Sequence, residues 1–177
     1  MNFLKIKNFL LVFLIIFSYL ISVVKTYAVD ITADSTISSS SDGDQYNIKT
    51  NNDIDVIVTN NSTLERNQKI FNVSAASLTG SSITIHLGSS VIAETNSIFS
   101  NGAELTITNT GTIEATNSKA INVSNSDGVS ITNNNNGVIK SNNNTILGDA
   151  GTGADNVTIN NSGEIYTTAT GTESSAI

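Results

Sequence analysis

Residues 105–121 read LTITNTGTIEATNSKAI, and their skeleton returns as VSITNNNNGVIKSNNNTI at 129–146 and as VTINNSGEIYTTATGTESSAI at 157–177. Between copies the polar letters change freely, whereas the isoleucine, valine and leucine positions and a glycine keep their order. A repeat of about 20–50 residues that outlives its own polar sequence indicates a stacked architecture, in which each copy buries its apolar edge against the next.

One copy divides into three short strands and three corners. Leu105 and Ile107 alternate with Thr106 and Thr108, the period of two that puts one apolar face against one polar face. The following NTG supplies turn residues, since Asn and Gly tolerate positive φ. Ile113 and Ala115 then alternate with Thr112 and Glu114, and after a polar corner, TNSK, Ile121 and Val123 flank Asn122.

Other copies fit this frame. Aligned by their apolar letters, the first strands carry Ile83/Ile85, Leu105/Ile107, Val129/Ile131 and Val157/Ile159, with steps of 22, 24 and 28 residues. The second strands centre on Val91 or Ile92, Ile113, Ile139 and Ile165; the third on Ile98, Ile121, Ile146 and Ile177. Upstream, DIDVIVTN (53–60) and KIFNV (69–73) read as the first and third strands of an earlier copy, and 29–52 as an N-terminal capping region. The expected fold is therefore all-β: a right-handed parallel β-helix over 53–177, with three short strands and about 22–28 residues per coil, following an N-terminal signal helix. Parallel strands one coil apart sit about 4.8 Å from each other. Inward aliphatic residues form columns, and the Asn-rich corners at 59–61, 132–136 and 159–161 are placed to form ladders of hydrogen bonds between coils. Short strands with turns also permit an antiparallel sandwich, but a sandwich gives no reason for similarity from copy to copy.

The 149 residues from Val29 onward contain 23 Asn and 43 Ser plus Thr, polarity that by itself suits a disordered tail. Disorder does not preserve apolar alternation. The chain has no cysteine, which excludes disulfides, thiolate metal sites and a cysteine nucleophile, and it has no proline or tryptophan. Stacking is the remaining source of stability for so small an unstapled unit.

Residues 1–28 differ from the rest. Lys5 and Lys7 precede an apolar stretch from Phe9 to Val24, and KTYA ends on a small residue, Ala28. Positive start, apolar middle and small exit make a secretory signal; a membrane anchor, the rival reading, needs about 20 apolar residues. Cleavage there removes three lysines and no acids, leaving five cations against fifteen acids, a formal charge of −10. Lys49, Arg66, Lys69, Lys119 and Lys140 are scattered in sequence, which argues against nucleic acid as a partner, because phosphate neutralisation needs clustered cations.

ITNTGTIEATNSKAI and TINNSGEIYTTATGTESSAI resemble the repeats of bacterial autotransporter passenger domains, in which N-x-G-x-I is followed by a small or polar loop and A-I. The resemblance spans about residues 53–177 and is one of repeat type. It implies a right-handed parallel β-helix exported by a signal peptide, displayed on a Gram-negative surface and held at the outer membrane by a C-terminal barrel. Members commonly act as adhesins, and some carry enzymes. No series of barrel strands occurs here, and the sequence stops at Ile177 within a third strand, so a fragment of a longer passenger is expected. The expected role is a non-catalytic stalk or adhesin-like surface protein whose partner is a host or environmental surface or a glycan. The alternatives are a polysaccharide-binding or lyase β-helix and an ice-binding solenoid.

The chemistry-bearing residues nominate no catalytic, cofactor or metal site. His86, the only histidine, follows Ile85 with no motif around it. AGTGADNVT (150–158) contains most of one calcium nonapeptide, but that site needs the motif to recur. Asp42/Asp44 and Asp53/Asp55 are paired acids of the type glycosidases use, yet Asp53 and Asp55 alternate with Ile54 and Val56 like the solvent face of a strand. The seven N-x-S/T sequons match what this composition produces by chance. Outward columns of Thr84, Thr106, Ser130, Thr158 and of His86, Thr108, Thr132, Asn160 carry the ice-binding alternative.

Overall fold

The structure, a computed structural model, describes residues 28–38, 44–49, 52–59, 61–74, 78–102, 104–148, 156–170 and 175–177. The signal-like segment lies outside the described residues except for Ala28, as do Asp42, Asn60 and residues 150–155 of the calcium-like motif. The chain winds through β1 (Ala28–Ile31), β2 (Ser35–Ile37), β3 (Gln45–Ile48), β4 (Asp55–Val58) and β5 (Thr63–Arg66). It continues through β6 (Phe71–Val73), β7 (Ser81–Ile85), β8 (Ser90–Ala93), β9 (Ile98–Ser100), β10 (Leu105–Asn109) and β11 (Thr112–Ala115). The remaining strands are β12 (Ile121–Asn122), β13 (Ser130–Asn133), β14 (Val138–Ser141), β15 (Ile146–Leu147), β16 (Thr158–Asn161) and β17 (Glu164–Thr167).

Successive strands go to different sheets, and from β3 onward every third strand returns to the same one; before it, β1 and β3 share one sheet and β2 and β4 another. Sheet A runs β1-β3-β6-β9-β12-β15, sheet B runs β2-β4-β7-β10-β13-β16, and sheet C runs β5-β8-β11-β14-β17. Neighbours within the sheets are parallel, as in β10 with β7 and β13 and in β11 with β8 and β14. This is a three-sided parallel β-solenoid, and the antiparallel sandwich is excluded. Segment 29–52 contributes β1, β2 and β3 to the stack.

Inside lies one apolar column per strand position. Val56, Ile83, Ile107 and Ile131 line sheet B; Leu64, Val91, Ile113 and Ile139 line sheet C; Phe71, Ile98, Ile121 and Ile146 line sheet A. All are buried, and each contributes about 1.5–3 kcal/mol by leaving water. Tyr46 stacks tilted on Phe71 with ring centroids 5.6 Å apart, continuing the sheet A column toward the N-terminus. Ser175 and Ala176 lie where a further sheet A strand belongs, because their carbonyls accept from Thr145 N (3.0 Å) and Ile146 N (3.1 Å).

The register differs from the apolar alignment at one place. Ile107 pairs with Ile83, not Ile85, so Leu105 faces Ser81 and Asn109 faces Ile85. The reason is that inward positions here include polar residues. Ser81 is fully buried and its Oγ accepts from Ile54 N at 3.3 Å; Asn109 is fully buried in a ladder of amides. The corner between sheets B and C is correspondingly shorter after β10 than after β7.

Corners are set by backbone geometry. Asp53, Gly80, Gly128 and Asn156 all have positive φ and stand two residues before paired positions of sheet B, at Asp55, Ser82, Ser130 and Thr158. A left-handed turn into sheet B therefore recurs in four coils, occupied by residue types that tolerate it, while in the β10 coil Glu104 holds the equivalent position without a positive φ. Gly111 is required for a different reason: an added Cβ would lie 2.4 Å from Ser89 O and 2.5 Å from His86 O in the coil above.

Candidate interaction surface

With the interior filled, the groups open to contact lie on the outer faces and in the corners. The outer face of sheet B carries two columns set by strand alternation. One is Asp55, Ser82, Thr106, Ser130 and Thr158; the other is Thr36, Ile57, Thr84, Thr108, Thr132 and Asn160. Neighbours repeat at about 4.8 Å along a column and about 6.6 Å across columns. The two-residue register change moves Thr84 into line with Thr108 and Thr132, and Ser82 into line with Thr106. His86 belongs to neither column: it follows the end of β7 in the B–C corner, where its amide donates to Val58 O at 3.0 Å.

Asp55 is engaged within this face. Ser82 Oγ donates to Asp55 Oδ1 at 2.5 Å, and Asp55 N donates to Asp34 Oδ1 at 2.9 Å. Asp53 occupies the positive-φ corner against Gly80. The pair Asp53/Asp55 is thus a corner residue beside a strand residue. Among the described residues no group of three or more His, Cys, Asp or Glu is arranged to hold a metal ion.

Below the B–C corner runs the amide ladder. Asn109 Nδ2 donates to Asn133 Oδ1 at 2.8 Å, and Asn133 Nδ2 donates to Asn161 Oδ1 at 2.8 Å. Each amide also bonds its own corner: Asn109 Oδ1 accepts from Gly111 N (3.1 Å), Asn133 Nδ2 reaches Gly137 O (3.2 Å), and Asn161 bonds Gly163 through both N and O (3.2 Å each). Two of the three Asn-rich corners named from the sequence supply rungs, and Asn109 adds a third. At the third corner the described residues use hydroxyls, with Ser89 Oγ donating to Thr59 O and Thr59 Oγ1 lying 3.4 Å from Ser62 Oγ.

The outer face of sheet A gathers charge that is scattered in sequence. Asn72 Nδ2 donates to Asn47 Oδ1 (3.1 Å), Asn47 Nδ2 donates to Asp30 Oδ1 (3.0 Å), and Lys49 Nζ lies 3.3 Å from Asp30. The Asn47 hydrogen bond, then Lys49, holds the Asp30 carboxyl below the usual carboxylate range. Arg66 Nη1 donates to Gln45 Oε1 (3.1 Å) and Lys69 O (3.0 Å), and the Lys69 ammonium sits 3.5 Å from the centre of the Phe99 ring. Burial pushes Lys69 and Arg66 down; Asp44 opposes the shift at Arg66. Arg66 and Lys69 therefore meet beside the start of β3, where Asp44 acts on Arg66, and Lys49 pairs with Asp30 at the other end of that strand. On sheet C, Lys140 pairs with Glu114 at 3.0 Å, and that hydrogen bond raises the lysine above its ordinary value.

Comparison with protein-family models, with curated proteins and with solved structures finds no match for this chain.

Proposed function

We propose that this chain is an exported, non-catalytic surface protein of the autotransporter-passenger type, in which the solenoid is a stiff stalk. Its outer faces and polar corners make weak, multivalent contact with surfaces or glycans. The observation that carries this reading is the stack itself. Among the described residues, six parallel strands in each of two sheets and five in the third enclose one apolar core. Such a rod presents the same kind of polar face every 4.8 Å or so, and repetition turns weak contacts into avidity. The basic start, apolar middle and Ala28 exit of residues 1–28 support export.

The test expresses the full chain in a Gram-negative cell, separates the compartments and determines the N-terminus of the product. The expected product lies outside the inner membrane and begins at Val29. A chain held in the cytoplasm with residues 1–28 intact overturns the export reading.

A second reading is favoured by one observation. The register brings Ser82, Thr106, Ser130 and Thr158 into one outward column and Thr84, Thr108, Thr132 and Asn160 into the next. A two-column lattice of hydroxyl and amide groups suits ordered water or a polysaccharide chain. Freezing-point hysteresis, with loss on Thr108→Leu, identifies ice as the target; its absence removes that target.

A further inference from the structure

On the outer face of sheet A the register sets one residue per coil in a single column: Asp30, Asn47, Asn72, Phe99, Asn122 and Leu147. Toward the N-terminus the column is hydrogen-bonded to itself, from Asn72 through Asn47 to Asp30. Beyond Asn72 that chain of bonds stops. Asn122 Oδ1 accepts from Ser124 N at 3.2 Å, and Asn122 Nδ2 donates to nothing among the described residues.

Two lysines border this part of the face. Lys69 stands two residues before Phe71 and Lys119 two residues before Ile121, and Phe71 and Ile121 both pair with Ile98. The lysines therefore hold the same corner position two coils apart, about 10 Å along the axis. Among the described residues neither forms an ion pair, although acids outnumber cations fifteen to eight in the chain. Lys69 Nζ rests 3.5 Å from the centre of the Phe99 ring, a cation–π contact that holds the ammonium on the outer face, one rung from Asn122. Burial alone pushes Lys69 below its ordinary value, so this charge has lost water without gaining an anion. The acids nearby are placed elsewhere. Asp44 holds the same corner position one coil before Lys69, and the Glu94 carboxylate accepts from Asn117 Nδ2 at 2.8 Å.

We propose that this face binds a linear acidic polysaccharide, with one uronate carboxylate between Lys69 Nζ and Asn122 Nδ2 and another meeting Lys119. The inference rests on the proposed contact of the outer faces with glycans and names the chemistry of that contact. A carboxylate has two oxygens and accepts from an ammonium and an amide at once, and the charge makes both bonds stronger than those to a sugar hydroxyl. Asp30 and Asp44 set the direction: the anionic chain runs from Lys69 toward Lys119, away from them. Two lysines release too few counterions to hold a nucleic acid.

The test titrates the full chain with an oligogalacturonate long enough to span both lysines, and with the same oligomer methyl-esterified, which keeps the sugars and removes the charge. Saturable binding of the acid form is expected, at least about ten times tighter than that of the ester and weakened by added salt. Lys69→Gln and Lys119→Gln should each weaken it about threefold and the double variant about tenfold, whereas Lys140→Gln on sheet C should leave it unchanged. The bound oligomer should also shield Lys69 and Lys119 from acetylation while Lys140 stays as reactive as in the chain alone, a readout that needs no variant to fold. Equal binding of the ester, or full affinity in the double variant, overturns the inference and leaves the broader contact with glycans standing. Binding of dextran sulfate in place of the uronate overturns the carboxylate assignment. Failure of acid, ester and dextran sulfate alike removes the glycan contact as well, while export is decided by its own test.

Discussion

Replacing Asn133 by aspartate tests whether the amide ladder holds adjacent coils together. The substitution keeps size and shape and turns two N–H donors, shared among three acceptors, into an oxygen that faces those acceptors. Asn133 Nδ2 now donates to Asn161 Oδ1 at 2.8 Å, Glu164 O at 3.1 Å and Gly137 O at 3.2 Å, and the residue is fully buried. Each lost bond removes about 1 kcal/mol net. The carboxylate keeps its bond from Asn109 Nδ2, yet it faces three acceptors with no cation beside it. A buried charge without a partner costs about 3–5 kcal/mol. The lost bonds are part of what leaves that charge unpartnered, so the two figures are not added, and the expected loss at pH 7 is about 4 kcal/mol, a large part of the 5–15 kcal/mol typical of a domain. With a urea m-value of about 2 kcal/mol/M, the midpoint falls by about 2 M. Burial raises the folded-state pKa of the new carboxyl, so the folded form binds the proton more tightly than the unfolded form. The penalty is then absent below the unfolded value near 4, grows as pH rises toward the folded value, and is constant above it. Asn133→Leu separates charge from hydrogen bonding. Leucine is tolerated in a column that already holds Ile85, and the gain in apolar burial offsets much of the lost bonding, leaving about 1–2 kcal/mol. Urea unfolding of the three proteins at pH 7 and pH 4, followed by two independent probes, measures each quantity. If Asn133→Asp stays within 1 kcal/mol of the parent at pH 7, or costs no more than Asn133→Leu, the ladder reasoning is wrong.

Two further substitutions probe the rest of the coil. Ile131→Lys places an ammonium in the sheet B column and should remove about 4 kcal/mol or more, whereas Thr106→Lys on the outer face should change stability by no more than about 0.5 kcal/mol; equal effects in thermal melts contradict the inward–outward assignment. Gly111→Ala drives a methyl against Ser89 O and His86 O, rigid backbone atoms of the preceding coil, and should cost about 1–3 kcal/mol; a neutral result in the same assay shows that the corner relaxes more freely than the close approach implies.

What was legible in the sequence follows from which signal each feature leaves. Ile107, Ile113 and Ile121 declare three inward edges because apolar alternation is a local pattern, and their recurrence declares stacking. The register is a relation between coils, and there apolar letters misled. Ser81 and Asn109 point inward at the ends of β7 and β10, so matching Leu105 with Ile83 slips the pairing by two residues. An inward asparagine is acceptable only when the coils beside it supply its partners, and for Asn133 that information lies 24 and 28 residues away, at Asn109 and Asn161. The outer faces inherit the same difficulty. Thr84 joins Thr108 and Thr132, and Arg66 approaches Gln45 across 21 residues, only after the winding is known. In a solenoid the residues that share a surface are one coil apart in sequence, so composition and local motifs report the stack while the corners decide what the stack displays. Which residues share an outer face is consequently a property of corner length. The corner between β10 and β11, two residues shorter than the one between β7 and β8, follows the point where Asn109 takes the inward place that Ile85 holds in the preceding coil, and there the ladder begins.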